Sequence, residues 1–80
     1  MTVLIPAYEP DERLLHLISH LKKISLTNIL IVDDGSGDAY RPIFELAEAE
    51  GCTVLRHNAN MGKGYALKTG FRHAAVSAMR

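Results

Sequence analysis

Residues 29–36 read Ile-Leu-Ile-Val-Asp-Asp-Gly-Ser. A continuous apolar run that ends abruptly in turn chemistry predicts a strand covered on both faces, since a half-exposed strand would alternate apolar with polar. Such a strand needs helices on either side of its sheet, and the chain supplies them. Residues 11–24 carry Leu14, Leu17, Ile18, Leu21 and Ile24 at helical spacing, with Arg13, His16, His20 and Lys23 on the opposite face. Pro10, Asp11 and Glu12 suit the start of that helix. A second helix is predicted over roughly 40–50, with Ile43, Phe44, Leu46 and Ala47 inward and Gly51 as its cap. A third begins near Met61 or Gly62 and turns Leu67, Phe71, Ala74 and Ala78 inward. Thr2–Ile5, stopped by Pro6, and Thr53–Leu55, reaching to Arg56, are the other apolar runs. The order is β-α-β-α-β-α. It predicts a three-layer, Rossmann-like α/β fold around a three-stranded parallel sheet.

Eighty residues allow one small domain, with marginal stability because a chain this short buries only about 60% of its unfolded surface. Cys52 is the single cysteine, so an intrachain disulfide and a thiolate zinc site are both excluded; it reads as a small buried hydrophobe. Nine basic and nine acidic residues cancel, without a basic stripe and without tryptophan, which argues against a nucleic-acid partner. No apolar run is long enough to cross a bilayer. The chain reads as cytoplasmic, with a membrane location left to a longer parent protein.

In parallel sheets, ligands bind beyond the carboxyl ends of the strands. Three loops fall there. Pro6-Ala7-Tyr8-Glu9 follows the first strand; Tyr8 could stack on a base and Glu9 could hold a ribose hydroxyl. Asp33 and Asp34 end the second strand; one carboxylate can face a ligand while the other accepts nearby backbone N–H groups. Asn60-Met61-Gly62-Lys63-Gly64 follows the third, where a helix start and Lys63 suit phosphate. This loop is not a P-loop, because Gly64 stands where serine or threonine would follow the lysine. Each loop alone also fits a plain turn. His16 and His20, at i and i+4, share the polar helix face and lack a third ligand, so a metal site is not expected there. His57, at the end of the third strand, could approach the ligand crevice, but it reads better as a plain strand-end residue.

Taken together, Val3-Leu4-Ile5-Pro6-Ala7-Tyr8-Glu9, Ile31-Val32-Asp33-Asp34-Gly35-Ser36 and Asn60-Met61-Gly62-Lys63-Gly64-Tyr65-Ala66-Leu67 resemble the inverting family 2 glycosyltransferases of GT-A fold. The likeness covers nearly the whole chain. It implies a sheet order 3-2-1 and makes residues 1–80 a single partial domain, the nucleotide-binding half. It further implies that Pro6, Ala7, Tyr8 and Glu9 contact the nucleotide, that Asp34 accepts the N–H of uracil or another base, and that Asp33 supports it or faces the ribose. Lys63, between Gly62 and Gly64 in the phosphate-proximal loop, would reach the base or diphosphate. Pro10-Asp11-Glu12 and Gly51-Cys52-Thr53-Val54-Leu55-Arg56-His57 are similar to the polyprenyl-phosphate branch.

By this resemblance a full-length parent would transfer sugar from a UDP- or GDP-linked donor, with inversion. The family's Asp-x-Asp motif, which holds a divalent cation (Mg or Mn), does not occur in residues 1–80, and neither does a catalytic base. The chain is therefore expected to look like a truncated or excised piece that binds nucleotide sugar, binds no cation and does not catalyse transfer alone. The alternative is an inert remnant that self-associates through the exposed edge of its first strand. A phosphoacceptor receiver domain is disfavoured, because its paired acids follow the first strand.

Overall fold

A computed structural model describes residues 2–78, with side chains through Ala74. Three strands, β1 (Val3–Ala7), β2 (Ile29–Asp33) and β3 (Thr53–Arg56), form one parallel sheet in the order β1-β2-β3. Val3 pairs with Ile29 and Leu30 with Thr53, so all three strands point their carboxyl ends the same way. The α/β class, the parallel sheet and its order are as the sequence predicts. β1 runs through Pro6 instead of stopping before it. Proline can do this because β1 is an edge strand and its missing N–H need not be supplied to β2. The edge position also leaves Val3–Pro6 only half-buried, whereas β2 is buried throughout.

Side chains alternate across the pleat. Val3, Ile5, Ala7, Ile29, Ile31 and Val54 pack with α1 (Arg13–Lys23) and α2 (Arg41–Ala49) in one core, with Phe44, Ile18 and Ile31 the largest side chains at its centre. Asp11 and Glu12 precede the first turn of α1 instead of occupying it; Asp11 accepts the N–H of Arg13 at 2.9 Å. Leu14 and Ile18 are buried, while Leu17 and Ile24, at the margin of the stripe, are exposed. Leu46 of α2 is likewise exposed, and Tyr40, in the single 3-10 turn before α2, joins the core instead.

The helix on the opposite face, α3 (Lys63–Ala78), does not turn Leu67 and Phe71 inward. Phe71 is 73% exposed, and the residues against the sheet are Ala66 and Gly70, with Ala74 half-buried. The side chain of Ala78 lies outside those described. The reason is the closeness of helix to sheet: a Cβ on Gly70 would stand 2.2 Å from Leu4 Cδ1 and 3.0 Å from Val32 Cγ2. Only small residues fit that line, so the larger apolar residues fall to the side. Even so, Gly70→Ala is expected to change stability by less than about 1 kcal/mol. Alanine recovers about 1 kcal/mol of helix propensity, and the obstructing atoms are the tips of rotatable side chains. Urea unfolding curves check this; a loss of several kcal/mol would mean that Leu4 cannot move.

Candidate functional site

All three predicted loops meet at the carboxyl end of the sheet. A cavity of about 420 Å³ there is lined by Pro6 and Ala7 at the end of β1, Tyr8 just after it, Asp34 just after β2, Asn60 and Gly62 from the β3–α3 loop, and Lys63 at the start of α3. Glu9, Asp33 and Gly64 do not line it. Glu9 is exposed at φ 48° and donates its backbone N–H to Ser36 Oγ at 2.8 Å, which ties the first loop to the second. Asp33 faces a second, smaller cavity of about 210 Å³ with Gly37, Asp38, Arg41, Arg56, His57 and Asn58.

Both carboxylates bond backbone N–H groups. Asp33 Oδ1 accepts the N–H of Ser36 at 3.0 Å and so shapes its own turn. Asp34 is the more heavily bonded of the pair. Its Oδ1 accepts the N–H of Met61 at 2.9 Å and lies 3.0 Å from His57 Nδ1, and its Oδ2 accepts the N–H of Gly62 at 2.9 Å. An ionised carboxylate offers about four acceptor positions. Three are used, which leaves one on Oδ2. The residue is only 3% exposed, yet it forms part of the cavity wall. The hydrogen bond from His57, then those from Met61 and Gly62, hold its pKa below the ordinary value of 3.8, against the opposing effect of burial.

The β3–α3 loop is held by this anchor and by a close approach. Gly35 sits at φ +75°, and its Cα faces the backbone of Ala59 and Asn60 directly. Gly62, at φ +91°, turns the chain into α3, where Lys63 is the first residue, exposed at the mouth of the cavity. Asn60 Oδ1 also accepts the N–H of Gly62, at 3.1 Å. The first N–H groups of a helix lack intrahelical acceptors, so this terminus favours an anion.

Sequence reasoning set His57 aside as a strand-end residue and missed Thr69. The His57 ring is largely buried between β2 and α3, with Nε2 2.9 Å from Thr69 Oγ1 and Tyr65 edge-on at 5.2 Å. The one available signal was that His57 directly follows β3, at the same end of the sheet as Asp34. Elsewhere, no three His, Cys, Asp or Glu side chains among the described residues cluster closely enough to hold a metal ion. No helix among them is long and apolar enough to cross a membrane.

Comparison with known proteins gives a family match over residues 2–76, to the family described as Glycosyl transferase family 2. Uncharacterized protein MJ1222 of Methanocaldococcus jannaschii is 40% identical over 74 residues, covering 92% of this chain and 29% of that protein. Undecaprenyl-phosphate 4-deoxy-4-formamido-L-arabinose transferase of Klebsiella pneumoniae is 36% identical over 81 residues, covering 91% of this chain and 25% of that protein. The chain thus spans between a quarter and three-tenths of the length of these curated relatives. No solved structure matches it.

Proposed function

The chain belongs to glycosyl transferase family 2, and on that premise we propose that it forms the nucleotide-sugar-binding part of an enzyme that moves a glycosyl group from a UDP- or GDP-linked donor to an acceptor with inversion. The observation that carries this reading is the single cavity that gathers Tyr8, Asp34 and Lys63 from three separate strand ends. Tyr8 offers a flat face to a base, Asp34 one acceptor position to a base N–H, and Lys63 with the α3 terminus a positive end for the diphosphate. In the reaction, an acceptor oxygen attacks the anomeric carbon as its bond to the diphosphate breaks. Lys63 would meet the negative charge that grows on the leaving group. The name of the Klebsiella relative supports a polyprenyl phosphate as that acceptor. The divalent cation that the family implies finds no ligand set among the described residues, and no step is assigned to it.

The single free position on Asp34 favours uracil over guanine. Uracil presents one imide N–H, whereas guanine presents an N–H and an amino group side by side, and a second donor would be left unpaired. UDP is therefore expected to bind at least about tenfold tighter than GDP. Amide shifts on titration check both points. They should cluster on Tyr8, Met61, Gly62 and Lys63 with UDP, and require higher concentrations of GDP. No shifts at millimolar UDP would instead support an inert remnant.

A further inference from the structure

We propose that His57 is a positioning residue of this cavity: its ring bridges Asp34 and Thr69, fixing the carboxylate with its one open acceptor position toward the cavity and holding the loop that delivers Lys63. The proposal deepens the nucleotide-binding reading and rests on it for the identity of the ligand. The geometry is specific. His57 touches Asp34 through Nδ1 and Thr69 through Nε2, while its own backbone N–H donates to Asp33 O at 2.8 Å. One residue thus joins the ends of β2 and β3 to the first turns of α3.

The chemistry fixes the proton. An ionised carboxylate only accepts, so Nδ1 must carry a hydrogen. In the neutral ring Nε2 is then bare and accepts from the Thr69 hydroxyl; in the charged ring it donates to the Thr69 oxygen instead. Either form keeps the Asp34 bond. Without it, only the Met61 N–H on Oδ1 and the Gly62 N–H on Oδ2 would hold the carboxylate, and its open position would be less firmly fixed toward the cavity.

Two substitutions separate the arms, since Asn places its amide nitrogen near where Nδ1 stands and Gln near where Nε2 stands. His57→Asn is expected to bind UDP within about threefold of the parent chain, and His57→Gln about tenfold more weakly. Hydrogen exchange at the Met61 and Gly62 amides should follow the same order, protected in His57→Asn and released in His57→Gln. If the two variants behave alike in exchange, the proposal is overturned, because general packing would explain both. Should either fail to fold, the ring nitrogens of the unmodified chain decide by NMR. A proton on Nδ1 supports the bridge, and a ring protonated on Nε2 alone overturns it. If the unmodified chain does not bind UDP, the nucleotide reading fails, while exchange and tautomer still judge His57.

Discussion

Gly35→Ala is expected to lower stability by about 2–4 kcal/mol, a fall in Tm of roughly 10–25 °C for a domain this small. Two effects add. A residue with a Cβ at φ +75° loses about 1–2 kcal/mol in the left-handed region. The new Cβ would also stand 2.3 Å from Ala59 C, 2.4 Å from Asn60 N and 2.8 Å from Ala59 O. These are backbone atoms, so no rotamer change relieves the clash; the β3–α3 loop must move, or the β2 turn must. Gly51→Ala is the control. Its φ of +97°, at the end of α2 where its N–H bonds back to Glu48 O and that of Cys52 to Ala47 O, carries a similar left-handed penalty, but nothing lies within 4 Å of the added carbon, so a loss of about 1 kcal/mol is expected. Thermal unfolding of the two variants tests the contact. Equal losses would show that the loop does not lie on Gly35. Because Asn60, Gly62 and Lys63 all hang from that loop, Gly35→Ala should also weaken UDP binding when measured well below its Tm.

The same contact explains what could and could not be read from the sequence. The sheet and its three crossing helices were legible because period carries them: β2 is a continuous apolar run, and α1 and α2 repeat at helical spacing. The loops could be placed as well, since parallel strands send their carboxyl ends to one edge. Periodicity failed where shape decided. Leu67 and Phe71 fit an inward stripe on α3, but the distance from Gly70 to Leu4 admits only small residues. Pro6 read as a stop because proline cannot donate to a ladder, yet in β1 the N–H that it lacks is not owed to β2 and the strand runs on to Ala7. His57 was passed over because its partner Asp34 is 23 positions away, and only the β2–β3 pairing brings them together. The setting of Asp34 was half legible. A carboxylate in the wall of the cavity could be expected from its strand-end position, but not that it would already bind two amides and an imidazole.

That density of bonds makes Asp34→Asn the most informative change at the site. Asparagine keeps one carbonyl oxygen and replaces the other with an NH₂ donor. Whichever way it turns, a donor faces either Gly62 N–H or the pair from Met61 and His57. In one orientation Met61 and His57 lose their acceptor; in the other Gly62 keeps only Asn60 Oδ1 and the open acceptor position becomes a donor, so UDP binding is expected to weaken by about tenfold or more. The pH dependence gives a separate reading. Hydrogen bonds from His57, Met61 and Gly62 hold the Asp34 pKa below 3.8 in the folded chain. In the acid range the unfolded chain therefore takes up its proton first, and stability rises with pH through that window. The contribution is complete above the ordinary carboxylate value and is lost as pH falls through the lowered one. Asp11, held at about 2 by Arg13, and Glu50, lowered by Lys22, add similar acid slopes to both proteins and cancel in the comparison. Asp34→Asn should thus be clearly less stable than the parent at neutral pH, and the gap should close as pH drops below about 4. Urea unfolding from pH 7 to pH 2.5 measures it. A gap that stays constant would mean that the charge of Asp34 is not what holds the loop, and that its role is steric.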